Sequence, residues 1–150
     1  MIVCFSGFSG SGKTTVIESV IRELSKKGWD VGAIKHTHHK IELDKKGKDT
    51  MRMRKAGSKN VCIASKDGFF MFSGKAVSSP EELEGLFGNT DIIIAEGFKK
   101  AGKNIIEVCT KPRIPEAIAI VSDSLLKANV PLFKRNDAKL IANFIEKRFL

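Results

Sequence analysis

The run Gly7-Phe8-Ser9-Gly10-Ser11-Gly12-Lys13-Thr14 fits G-x-x-x-x-G-K-[ST] at every fixed position, and this fit narrows what the chain can fold into. The apolar stretch Ile2-Val3-Cys4-Phe5 precedes it and an amphipathic helical pattern follows from Lys13. The expected unit is a strand, a glycine-rich loop and a helix N-terminus. Glycines let successive backbone N–H groups turn inward toward an anion. The first helical turn adds unpaired N–H groups and the positive end of its dipole. Such a cradle selects a nucleoside triphosphate with Mg²⁺. Gly7, Gly10, Ser11, Gly12, Lys13, Thr14 and Thr15 are the candidate phosphate residues. Lys13 is expected at the β- and γ-phosphates, the Thr14 hydroxyl on Mg²⁺, and Thr15 at the α-phosphate. The side chains of Ser9 and Ser11 read as loop residues that tolerate tight turns.

Downstream, strand and helix patterns alternate. A first helix is expected over about Lys13–Lys27, with Val16, Ile17, Val20, Ile21 and Leu24 on one face and Gly28 as its C-terminal cap. Val31–Lys35 reads as a second strand. The polar segment after it is too long to be only a connector. Asp49–Ala56 reads as a short helix closed by Gly57. Val61–Ala64 and Phe69–Phe72 flank Asp67-Gly68, a hairpin signal. Ser79-Pro80-Glu81-Glu82 forms a capping box ahead of Leu83, Leu86 and Phe87, which are expected in the core. Asp91-Ile92-Ile93-Ile94-Ala95 has the continuous apolar character of a central parallel strand. Ile105–Cys109 and Ala117–Val121 are further strands. Asn136 or Asp137 caps a last helix, with Leu140, Ile141, Phe144 and Ile145 on its apolar side. The expected architecture is an α/β three-layer P-loop NTPase domain over residues 1–150. Its sheet is mostly parallel, with the hairpin as an antiparallel edge.

Composition sets outer bounds. With 150 residues the chain matches one domain, able to bury roughly 68–70% of its unfolded surface. No apolar run approaches the roughly 20 residues of a membrane span, and no charged segment leads into a signal-peptide core. Cys4, Cys62 and Cys109 are odd in number and far apart, which suits buried thiols in a reducing cytoplasm rather than zinc or disulfides. The net charge is +9, and Lys35 to Lys59 holds nine Lys/Arg against three acids. That segment suggests an anionic partner, either nucleic acid or a phosphorylated small molecule. Nucleic acid is disfavoured, because no aromatic residue lies between Lys35 and Lys59 to stack on bases.

Three further constellations bear on chemistry. Glu96 follows four apolar residues as a Walker B acid does, with Glu in place of the usual Asp. Its expected role is to hold Mg²⁺ or orient an attacking water. His36, His38 and His39 are the chain's three histidines. With Lys35 they form a candidate grip for a phosphate or other anionic ligand, more than a metal site. Asp44 and Asp49 lie in the same segment, where they either ligate Mg²⁺ or order the loop. Asp123 ends the Ala119–Val121 strand run and is a candidate reader of the guanine N1–H and N2–H₂ donors, which adenine lacks. Structural capping is its other reading, since no N-K-x-D string is present.

Taken together, these residues resemble one family, the molybdopterin-guanine dinucleotide biosynthesis adapter proteins (MobB). The resemblance rests on the early P-loop, Ile34-Lys35-His36-Thr37-His38-His39, Asp44-Lys45-Lys46-Gly47-Lys48-Asp49, Arg54-Lys55-Ala56-Gly57, Ala95-Glu96-Gly97-Phe98-Lys99 and Val121-Ser122-Asp123. It implies a cytoplasmic, homodimeric, GTP-binding protein with weak GTPase activity. It also implies an accessory role beside the guanylyltransferase that joins GMP to molybdopterin. Carried over by position, Gly10 to Thr15 bind phosphate, Glu96 is the metal-side acid, and the histidine loop faces the pterin cofactor. Residues 101–116 match nothing in that pattern. Slow hydrolysis is expected, because no arginine stands in an evident finger position and such a group is worth roughly 10³–10⁵ in rate. A small-molecule or nucleotide kinase is the alternative enzyme class. Arg52 and Arg54 are the only close arginine pair in the middle of the chain, whereas kinase lids usually carry several.

Overall fold

Ile2–Ser6 (β1) and Ile92–Glu96 (β5) are apolar at consecutive rather than alternate positions, so both of their faces must be covered. In the computed structural model, which describes residues 1–37, 39, 49–98 and 103–150, they lie side by side in the middle of a sheet. The expectations placed on His38, on positions 44–48 and on Lys99 fall outside the described residues. Two compact units are present, Met1–Thr37 with Ser78–Leu150, and His38–Val77.

The larger unit contains a six-stranded sheet. Besides β1 and β5, its strands are Val31–Lys35 (β2), Ile105–Val108 (β6), Ala117–Val121 (β7) and Leu132–Phe133 (β8), in the order β2-β5-β1-β6-β7-β8. Every described pairing in it is parallel. All carboxyl ends therefore share one edge, the side where ligands sit in such sheets. Lys13–Lys26 (α1) and Ala138–Phe149 (α3) pack against each other on one face. There Val16, Val20, Leu24, Ile141 and Ile145 meet Val3, Phe5, Ile94, Ile106 and Val121. On β2, a Cβ built at Gly32 would lie 2.5 Å from the Phe87 ring, so the strand needs a residue without a side chain there. Glu107 of β6 is almost fully buried, and its carboxylate accepts the backbone N–H groups of Arg113 and Ile114 at 3.0–3.1 Å.

Several sequence expectations are corrected. The capping box forms, with Ser79 N donating to Glu82 Oε1 at 3.2 Å, but it opens a 3₁₀ helix over Pro80–Phe87. Leu83 and Phe87 are half-buried and Leu86 is exposed. Leu140 is likewise exposed, and Ala142 takes its place in the α3 core stripe. Asp137 is the α3 N-cap residue, but its carboxylate turns back to accept Lys134 N–H at 2.8 Å.

In the smaller unit, Asp49–Lys55 (α2) precedes the hairpin of Asn60–Ser65 (β3) and Gly68–Ser73 (β4). The hairpin pairs only within itself, as a separate two-stranded sheet, and is not an edge of the parallel one. The Arg54 guanidinium lies 3.5 Å from the Phe72 ring centroid. Ile63, Phe69, Phe70 and Met71 are exposed on the ribbon, and so is Cys62, which corrects the expectation of three buried thiols.

Candidate functional site

The loop between β1 and α1 has the geometry its sequence demands. Gly12, the α1 N-cap residue, is left-handed at φ +84°, and no side chain caps the helix. Its first N–H groups therefore keep no intrahelical acceptor and face the loop. Lys13 Nζ bends back to donate to Phe8 O at 2.6 Å, so the ammonium lies inside the loop. A Cβ built at Gly7 would meet Val108 O at 2.2 Å and Ser11 Oγ at 3.0 Å, which leaves no room for another residue there. Ser11 Oγ is buried without a hydrogen-bond partner among the described residues.

At one end of the loop, two residues expected on a metal meet directly. Thr14 Oγ1 donates to Glu96 Oε2 at 3.1 Å, although 82 positions separate them in sequence. The reason is topological: β1 and β5 are parallel neighbours with Phe5 opposite Glu96, so loop and acid emerge at the same edge. Lys35 sits opposite Glu96 on β2 and places Nζ 3.4 Å from Oε2. A hydroxyl and a carboxylate are hard oxygen donors, the set that Mg²⁺ takes.

His36 joins this end of the site. Its backbone N–H donates to Glu96 O at 2.9 Å, and its ring centroid stands 4.5 Å from that of Phe98. Gly97 makes the approach possible. Its φ is +101°, and a Cβ there would lie 3.1 Å from His36 Cβ and 3.2 Å from His36 O. Lys35-His36 and Glu96-Gly97-Phe98, two separate motifs in sequence, are one packed turn pair in space. His39 is exposed and belongs to the smaller unit.

The opposite end of the loop carries Asp123, where the structure adds a residue that the sequence reading missed. Arg135 follows the two-residue strand β8. Its backbone N–H donates to Asp123 Oδ1 at 3.0 Å, its Nη1 to Asp123 Oδ2 at 2.7 Å, and its Nε to Ser11 O at 3.1 Å. The Arg135 backbone N–H, then its side-chain hydrogen bond and charge, outweigh desolvation and hold the Asp123 carboxyl below the usual carboxylate range. Beside this pair lies a cavity of about 350 Å³, bordered by Gly12, Thr15, Ser19, Asp123, Arg135 and Asn136. Thr15, expected at the α-phosphate, is thus on the Asp123 side of the loop. A second missed residue, Arg113, places its guanidinium 4.6 Å from the Phe8 ring centroid. For Arg113 the available signal was its position after a strand of a parallel sheet, on the edge where ligands bind, whereas Arg135 follows a strand too short to be read from sequence. Cys109 borders this region as an inert thiol: burial, then the Glu107 charge, push it up to about 11.

Comparison with known proteins agrees with this arrangement. A family model described as molybdopterin guanine dinucleotide synthesis protein B, MobB, matches residues 2–130. The chain is 35% identical to the molybdopterin-guanine dinucleotide biosynthesis adapter protein of Haemophilus influenzae, over 94% of this chain and 85% of that one. It is 32% identical to the protein of that name from Escherichia coli K12, over 96% and 90%. Among solved structures, a molybdopterin-guanine biosynthesis protein B superposes with a TM-score of 0.77 at 28% identity, covering 99% of both chains. Bacillus subtilis MobB superposes with a TM-score of 0.79 at 25% identity, covering 99% and 98%. The chain belongs to the MobB family.

Proposed function

We propose that the protein is a cytoplasmic GTP-binding adapter with slow GTPase activity, assisting the guanylyltransferase that attaches GMP to molybdopterin. The observation that carries the nucleotide part is the 3.1 Å contact of Thr14 with Glu96 at the mouth of a complete phosphate loop. On this reading Lys13 leaves Phe8 O for the β- and γ-phosphates, and the loop N–H groups take the remaining oxygens. Thr14 and Glu96 are the residues that would hold Mg²⁺, which supplies charge neutralisation on the phosphates when bound. Glu96 also orients the attacking water. Rates stay low because the Arg135 guanidinium is committed to Asp123 and Ser11 O, away from the Thr14 end.

The pathway part is supported by the family and by the printed names of the relatives. The anionic pterin is assigned to the Lys35–His36 corner beside Glu96, where a cation and an imidazole border the loop. Homodimerisation is assigned to the β3–β4 ribbon. Beyond its packing on α2, the ribbon exposes Ile63 and Phe70 on one face and Phe69 and Met71 on the other. Among the described residues no helix is long and apolar enough to cross a membrane, and no nucleic-acid partner is proposed.

The test is a pull-down with the guanylyltransferase, run beside a comparison of GTP and ATP binding on the same sample. Capture of the enzyme together with saturable Mg²⁺-dependent GTP binding is expected. Phosphoryl transfer to a small acceptor at about 1–100 s⁻¹ would replace the adapter with a kinase.

A further inference from the structure

Arg135 is fixed more firmly than a surface arginine needs to be. Two of its side-chain nitrogens are used, one on Ser11 O of the phosphate loop and one on Asp123, while its own backbone N–H holds the second Asp123 oxygen. Its stem passes over Gly12, where a Cβ would stand 3.4 Å from Nε and 3.5 Å from Cδ. Hydrogen bonds to a guanidinium lie in its plane, so its flat faces stay available for stacking. The guanidinium borders the 350 Å³ cavity at the Thr15 end of the loop. That volume is at the small end for ligand pockets, and it suits a base and sugar rather than a whole nucleotide.

We propose that Arg135 is the platform on which the base of a bound purine nucleotide stacks, and that Asp123 anchors this platform rather than reading guanine. The proposal rests on the nucleotide reading of the phosphate loop and adds the location of the base. Phosphates on the loop place the rest of the nucleotide beyond Thr15, toward this cavity. Both Asp123 oxygens already accept charge-assisted bonds from Arg135, which keeps the guanidinium plane in a single orientation. Guanine and adenine both offer a π-face to a cation. The platform therefore sets affinity for the nucleoside portion and does not choose between the two bases.

Calorimetric titration of the full chain with GTP, ATP and inorganic tripolyphosphate, each with Mg²⁺, tests this. Arg135→Ala should weaken GTP and ATP alike, each by about tenfold, the scale of one stacking contact, while tripolyphosphate binding stays unchanged. Arg135→Lys keeps a cation for Ser11 O but has no planar face, so it should retain tripolyphosphate binding and lose most of the nucleotide advantage. Asp123→Asn should lower GTP and ATP affinity together and preserve their ratio. If Arg135→Ala and Arg135→Lys weaken tripolyphosphate as much as GTP, Arg135 is a phosphate clamp and the platform is wrong. If Asp123→Asn changes the GTP/ATP ratio while Arg135→Lys changes nothing, Asp123 reads the base. A wild-type chain that binds tripolyphosphate as tightly as GTP overturns the platform alone, and one that binds none of the three overturns the nucleotide site itself.

Discussion

Gly97→Ala isolates the turn that brings the acid of β5 to the phosphate loop. At φ +101° the backbone at this position is outside what an L side chain adopts comfortably, a penalty of roughly 1–2 kcal/mol. The new Cβ would also stand 3.1 Å from His36 Cβ and 3.2 Å from His36 O. Neither atom is the far end of a flexible side chain, so relief requires the β2 and β5 ends to separate. Together the two effects cost about 2–3 kcal/mol, within the range for strained functional positions. For a protein of this length each kcal/mol lowers Tm by about 2–4 °C, so a drop of about 4–12 °C is expected by calorimetry. Gly28→Ala is the control: φ is +93° there, but nothing lies within 4 Å of the added Cβ, so it carries the backbone term alone. Because Glu96, the last residue of β5, directly precedes Gly97, Gly97→Ala should also weaken the Mg²⁺ dependence of GTP binding, and Gly28→Ala should not. Equal Tm shifts for the two variants, with Mg²⁺ dependence intact in both, would refute the idea that this turn pair positions Glu96.

Three further outcomes are expected. Lys13→Ala should abolish triphosphate binding in titration while leaving the far-UV spectrum near wild type, because its ammonium lies at an exposed loop, where it donates to Phe8 O. Glu146 accepts from Lys27 Nζ and from Trp29 Nε1 at 3.0 Å, and these bonds, Lys27 first, hold its carboxyl below the ordinary value of 4.5. A depressed carboxyl stabilises the fold above the unfolded value and loses that contribution as pH falls through the folded one. Urea melts of Glu146→Gln should therefore differ from wild type above about pH 4.5 and converge with it in stronger acid. Burial raises the thiols of Cys4 to about 12 and of Cys109 to about 11, whereas Cys62 is exposed. A thiol reagent at pH 8 should leave Cys4 and Cys109 unmodified in the native chain and reach them only after denaturation, as read by mass spectrometry.

The parallel strands were legible because their residues are apolar at consecutive positions: Ala117–Val121 occurs as read, and the strand read over Asp91–Ala95 runs one residue later, over Ile92–Glu96. The phosphate loop and Glu96 were legible because each motif is local. Their meeting follows once β1 and β5 are neighbours, but strand order is not written in either segment. The hairpin shows the limit of composition. Phe69–Phe72 looks like core by hydropathy, yet among the described residues the ribbon pairs only with itself, and Phe69, Phe70 and Met71 are outside. The same signal serves a buried strand and a surface awaiting a partner. Pro80–Phe87 shows another limit, since a capping box starts α and 3₁₀ turns alike and does not fix the winding that follows. Arg135 was invisible because Leu132–Phe133 is too short to show a period, and its partners Ser11 and Asp123 are brought together only by the tertiary fold.

The central place of β1 carries a consequence for biosynthesis. Ile2 pairs with Ile93 and Cys4 with Ile105, so β1 leaves the ribosome well before either of its two sheet neighbours. Pairings this distant form slowly, and until then an apolar edge stands open to wrong partners. Chaperone demand should therefore peak before residue 105 emerges, and the ability to retain a triphosphate should appear abruptly, once β5 and β6 have emerged and the sheet can close around β1.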